Sequence, residues 1–150
     1  MNTSQETTED LFHLGIKALV CNERGEILLL QVNPDKLKGD GQYWDLPGGR
    51  VQKGQTIAET LEREVAEEIG IEGVKLGEQV GMTLSNIRIP IGDTGSVGLV
   101  LGVYACELPL NSVVTLSDEH VAYDWFSLKA AADALMVKYP EQFCELIAAL

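Results

Sequence analysis

The sequence predicts a single layered α/β domain, and three observations carry that expectation. The chain has 150 residues, of which 45% are hydrophobic. That is enough apolar material for one packed core and too little length for two comfortable domains. Short β-rich apolar runs are mixed along the chain with segments of helical periodicity, and neither an internal repeat nor a low-complexity segment interrupts them.

The elements follow in order. Residues 1–11, opening with MNTSQETTED, are polar and acidic and are expected to form a disordered lead-in, which leaves 12–150 as the domain. GIKALVCNERGEILLLQV places two β-rich runs around the turn NERG, an expected hairpin from Gly15 to Val32. NPDKLKGDGQ is broken by Gly and Pro and reads as a loop leading into YWDLPGG. Thr56-Ile57-Ala58-Glu59 is a capping-box pattern that starts a helix, and Gly70 can close it in the left-handed conformation while Ile71 folds back on the last turn. Between those limits Ile57, Ala58, Leu61, Val65 and Ile69 make an apolar stripe for the core. Apolar runs at 73–91 and 97–108 flank GDTGS, an expected hairpin turn, and HVAYDWFSL is a further strand. Ser127 can cap a helix through LKAAADALMVK, and Pro140 opens the last one, PEQFCELIAAL.

Charge excludes several partners. Eleven basic residues against 23 acidic ones give a formal charge of -12, which repels polymeric nucleic acid and anionic membrane surfaces. A small phosphorylated ligand meets the same repulsion unless divalent cations stand between its phosphates and the protein. Cys21, Cys106 and Cys144 are odd in number and lie in apolar surroundings, so they are expected to be buried reduced thiols. The polar start does not resemble a secretory signal, and no apolar run reaches the ~18 residues a membrane span requires. A soluble cytoplasmic protein is the expectation. Nothing in the residues reports assembly, for which a homodimer is the prior.

The helix from Thr56 carries an anomaly. At ~100° per residue Glu64, Glu67 and Glu68 project together from the flank of the apolar stripe. Their mutual repulsion and their position near the negative end of the helix dipole both disfavour the arrangement. One reading is a solvated acidic face. The other is an oxygen-rich edge for Mg²⁺ or Mn²⁺, which supplies the missing attraction. Gly48 and Gly49 just upstream let the backbone turn sharply and approach an ion or a phosphate.

These residues carry a resemblance to the Nudix hydrolases, whose signature is G-x5-E-x7-R-E-U-x-E-E-x-G-U with U aliphatic. The match runs from Gly49 through Arg63-Glu64-Val65-Ala66-Glu67-Glu68-Ile69-Gly70-Ile71, and only Gln55 departs from it, standing where the pattern has Glu. WDLPG before the box and EHVAYDWFSL after it also look like family features, so the resemblance extends over residues 15–128. It implies a Nudix-type α/β/α sandwich around a mixed β-sheet and hydrolysis of a nucleoside diphosphate linked to a further group X. Carried over by position, it implies Glu64, Glu67 and Glu68 as metal ligands, with the Gly48 carbonyl and Glu119 as additional ones. Arg63 would orient the carboxylates, partly by pairing with position 55. There Gln keeps a carbonyl acceptor but loses the charge that would hold the guanidinium.

With Mg²⁺ bound, or Mn²⁺ in its place, water would attack a phosphorus centre in line. Glu67 and Glu119 are both candidates for the group that takes its proton. The further markers of the NADH, ADP-ribose and dinucleoside-polyphosphate subgroups are absent after Ile71, and Pro90 falls beyond the expected place. Nucleoside triphosphates, including oxidised ones, remain. Tyr43 and Trp44 are candidates to stack a base or simply to pack. Against the enzyme stands a second reading, a non-catalytic Nudix-like module that binds a nucleotide or a protein. Gln55 is the residue that favours it.

Overall fold

The computed structural model describes residues 8–36 and 43–150. Eight strands and three helices follow one another: β1 (Phe12–Val20), β2 (Ile27–Val32), β3 (Trp44–Asp45), β4 (Gly48–Arg50), α1 (Ile57–Ile69), β5 (Lys75–Leu84), β6 (Ile89–Ile91), β7 (Gly95–Glu107), β8 (His120–Phe126), α2 (Leu128–Ala134) and α3 (Glu141–Ala148). A single 3-10 turn follows β2 at Pro34–Lys36, and another continues α2 at Leu135–Val137. Residues 1–7 of the expected lead-in, and residues 37–42 of the expected loop, lie outside the described residues.

The strands form two sheets. The larger runs β4-β1-β7-β5, with β6 also paired to β7. It is mixed, because β1 and β7 are parallel from Phe12–Gly98 to Val20–Cys106 while the other pairs are antiparallel. The smaller is the antiparallel β3-β2-β8. The expected hairpin from Gly15 to Val32 is therefore corrected. A turn at Asn22–Gly25 is present, but one bridge, Cys21 to Ile27, joins its arms before β1 and β2 enter different sheets. By contrast GDTGS does turn a hairpin, with Ile91 facing Gly95.

Alternation along β1 and β2 divides the interior in two. Ile16, Ala18 and Val20 of β1 and Leu28 and Leu30 of β2 pack with Leu61, Val65 and Ile69 of α1. Leu19, Ile27 and Leu29 face the other way, against Ala131, Leu135, Phe143 and Ile147 of the C-terminal helical segment. The result is an α/β/α sandwich. Leu61, Val65 and Ile69 are almost wholly buried, worth about 1.5–3 kcal/mol each. Ala58, expected on that stripe, is exposed, and Thr60 is buried in its stead. The stripe turns slightly around the helix because Thr60 can bury its hydroxyl by donating to the Thr56 carbonyl at 2.8 Å.

Two of the three cysteines are buried as expected, whereas Cys21 is exposed, since it sits just past the end of β1 where the chain turns outward. Pro140 caps α3 from the position before its first residue. Among the described residues no helix is long and apolar enough to cross a membrane.

Candidate active site

Helix α1 is fixed at both ends by its own sequence. The Thr56 hydroxyl accepts from the Glu59 amide at 3.1 Å, and the Glu59 carboxylate accepts from the Thr56 amide at 2.9 Å. At the other end Gly70 adopts φ 68°. The last turn contains no basic residue. Its carbonyls are satisfied from outside, because the Thr115 amide donates to Ile69 at 2.9 Å and the Ser117 amide to Glu68 at 3.2 Å. Those two bonds dock the segment before β8 onto the carboxylate end of α1.

The three glutamates that share a flank differ in exposure. Glu68 is buried, with 6% of its surface exposed, and its carboxylate accepts from the Gly48 amide at 2.8 Å. Burial pushes its pKa up to about 8, against the pull of Lys17 and the Gly48 amide, and Glu64 and Asp45 push the same way as burial. The Glu64 side chain is 13% exposed, and burial raises it too, although Arg63 opposes. Glu67 is open, at 59%. Gly48 and Gly49 are both required by close approach. A β-carbon on Gly49 would lie 2.3 Å from the Glu64 carboxyl carbon, and one on Gly48, at φ 146°, would lie 2.1 Å from the Ile16 carbonyl oxygen.

Arg63 stands over this corner. Its guanidinium donates to Glu64 at 2.9 Å, to the Gln55 side-chain carbonyl at 3.2 Å and to the Arg50 carbonyl at 3.3 Å, and it lies 3.7 Å from Glu67. Position 55 thus meets Arg63 through a neutral acceptor. The donor chemistry suits a hard divalent cation: carboxylate oxygens on one helix flank, with one of them seated where a side chain at Gly49 would otherwise sit. Among the described residues no three His, Cys, Asp or Glu side chains already converge at cation-binding distance. Arg63 now occupies the space between Glu64 and Glu67.

Glu119 lies on the docked segment with its side chain exposed, and its carbonyl accepts from the Asn33 amide at 2.8 Å. Among the described residues no hydrogen bond or ion pair joins it to the helix glutamates. Its neighbour His120 does approach them, with Nε2 3.9 Å from Glu68 and a buried Nδ1 that has no hydrogen-bond partner. Burial, then the positive charge of Lys17, lowers the His120 pKa to about 4, so the ring is neutral. Sequence reading assigned His120 no role, and its only signal was adjacency to Glu119.

Behind Gly49 a cavity of about 150 Å³ opens, lined by Lys17, Tyr43, Ile89, Leu99, Leu101 and Lys138 among others. Lys17 and Lys138 donate to the same oxygen of Asp45 at 3.0 and 2.5 Å, and the Tyr139 hydroxyl donates to the other at 2.7 Å. All four residues are buried. Burial opposes the Asp45 charge, yet Lys138 and Lys17 hold it well below the usual carboxylate range. Lys17, which also feels Glu68, is raised despite burial. Lys138 is lowered to about 8 by burial, Asp45 opposing and Lys17 adding to the fall. Tyr43 lines this cavity, whereas Trp44 packs edge-on against Phe126, ring centres 4.9 Å apart. The network was missed in the sequence. A lysine inside the apolar run GIKALV was its one visible sign.

Comparison with known proteins identifies the family and the fold. Residues 11–146 match the family model described as NUDIX domain. A MutT-like protein of Streptomyces ambofaciens is 27% identical over 140 residues, 93% of this chain and 80% of that one. A putative 8-oxo-dGTP diphosphatase of Mycobacterium tuberculosis is 45% identical over 53 residues, which are 34% of this chain and only 36% of that protein. The crystal structure of a MutT protein from Methanosarcina mazei superposes with a TM-score of 0.71 at 28% identity, covering 95% of each chain.

Proposed function

This chain belongs to the Nudix hydrolase family, and from that premise we propose a metal-dependent hydrolase acting on a nucleoside diphosphate linked to X. The substrate class is a nucleoside triphosphate or its oxidised form, and residues 12–150 act as one catalytic unit in the cytoplasm. The observation that carries the reading is the corner where buried Glu68 accepts from Gly48 while Glu64 sits against Gly49. Names of relatives support the substrate class, since one of them is a putative 8-oxo-dGTP diphosphatase, 45% identical over 53 residues.

Glu64, Glu67 and Glu68 would hold Mg²⁺ or Mn²⁺, with the Gly48 carbonyl and Glu119 completing the oxygen set. A divalent ion held there would supply charge neutralisation of the pyrophosphate and a more acidic water. Arg63 keeps Glu64 and Glu67 oriented, and is itself held by Gln55 and the Arg50 carbonyl. Glu67, the open member, or Glu119 accepts the proton of the attacking water.

The test is a substrate panel of deoxynucleoside triphosphates, 8-oxo-dGTP, ADP-ribose and a dinucleoside polyphosphate with Mg²⁺ or Mn²⁺, scored for released phosphate and pyrophosphate. Triphosphates should turn over, chelation should stop the reaction, and Glu68→Gln should lower kcat/KM by about 100-fold. Tight nucleotide binding with no turnover on any substrate would establish the binding module instead.

A further inference from the structure

The floor of the cavity behind Gly49 has an unusual hydrogen-bonding character. Each Asp45 oxygen already accepts two bonds: one takes the Leu46 amide and the Tyr139 hydroxyl, the other takes Lys17 and Lys138. The carboxylate has no acceptor site to spare. Lys17 gives one further bond to the Leu46 carbonyl at 3.3 Å. An ammonium group has three donors, so against the described residues both lysines retain N–H groups unspent. Lys17 also feels the charge of Glu68, whereas among the described residues Asp45 is the carboxylate that offsets Lys138.

We propose that Lys17 and Lys138, clamped by Asp45, read the base of the substrate and select heterocycles whose edge presents carbonyl oxygens over those that present an amino group. This inference rests on the reading of the chain as a nucleotide hydrolase. The walls argue for a ring rather than a phosphate: Ile87, Ile89, Leu99 and Leu101 are apolar, with Tyr43 beside them, and such surfaces suit the faces of a flat heterocycle. Gly49 lines the cavity and also touches Glu64. A nucleotide with its base inside therefore runs outward towards the carboxylate corner. A carbonyl edge accepts the unspent N–H groups, whereas an amino edge sets donor against donor and leaves buried polar groups unmet. Burial and the Lys17 charge lower the Lys138 pKa to about 8 even with Asp45 alongside.

Matched pairs test the idea, because dUTP and dCTP differ by a carbonyl beside a ring N–H against an amino group beside a bare ring nitrogen, as do dITP and dATP. Wild type should favour the carbonyl member of both pairs by about tenfold or more in kcat/KM. In Lys138→Met the ratio should fall to within about threefold, the loss lying on the carbonyl member. Ile89→Trp, which fills the cavity from its half-buried rim and leaves the lysines alone, should erase the preference through KM. It decides the matter should Lys138→Met not fold. Titration of metal-free protein with deoxyuridine and deoxycytidine, followed by NMR, reads the same preference without any hydrolysis. Absence of turnover would thus overturn the hydrolase reading alone. Equal use of both members, an amino preference, or a carbonyl preference that survives in folded Lys138→Met and Ile89→Trp would overturn the proposal. So would an equal loss on every substrate in Lys138→Met, which would make the lysine a phosphate contact.

Discussion

At Gln55 a neutral amide does the work of holding one edge of Arg63. Replacing it with Glu should form a charged pair and raise kcat/KM by up to about tenfold, roughly 1.4 kcal/mol. In an Arg63→Ala background the same change should give nothing, since no guanidinium remains to hold. Equal gains in both backgrounds, measured on the best substrate, would show that position 55 acts on the cation instead. This contact was legible in the sequence because both partners lie within one short motif of fixed spacing. Lys17, Asp45 and Lys138 are separated by 28 and 93 residues, and no local pattern says which distant lysine a buried aspartate will meet. His120 was hidden for the same reason. Its pKa of about 4 against an ordinary 6.5 means the unfolded chain binds the extra proton first as pH falls. Its contribution is present above pH 6.5 and lost as pH drops towards 4. His120→Gln should flatten that part of the stability–pH curve, which urea titrations at several pH values would show.

Among the elements, α1 is the one whose sequence states most of its geometry. Its capping box, its left-handed Gly70 and its buried face, apart from Thr60 in place of Ala58, follow from residues within a few positions of each other. Thr56→Ala should cost about 1 kcal/mol in denaturant unfolding, because it strips the cap from the Glu59 amide. The glutamates make the opposite prediction. Millimolar Mg²⁺ should raise Tm in wild type and much less in Glu68→Gln, since a ligand bound only by the folded state stabilises it. Equal shifts would put the ion elsewhere. The β1–β2 pair shows where local reading stops. A good turn joins two good strands, yet β1 pairs along its whole length with β7 and β2 with most of β8. Those long-range ladders outweigh a hairpin, and sequence proximity carries no information about them.

For the molecule as a whole, Asp45 is the point where β1, β3 and the segment after α2 are tied together. Taking away its charge would strip Lys138 of its carboxylate partner and leave Lys17 with Glu68 alone among the described residues. Asp45→Asn should therefore cost about 3–5 kcal/mol in urea unfolding, well beyond a surface charge change. A loss below 1 kcal/mol would mean that water already serves the two lysines.

The adjacent glycines of the β4 corner promise two different kinds of lesion in a living cell. A β-carbon at Gly48 would strike the backbone of β1, at Ile16, which has nowhere to go. A β-carbon at Gly49 would strike only the movable end of Glu64. Gly48→Ala should then deplete the protein, through misfolding and clearance. Gly49→Ala should leave normal amounts of a folded chain whose Glu64 has been pushed aside. By activity in a lysate the two alleles would look alike. An immunoblot would separate them, and only the protein from the second could still compete with wild type for substrate.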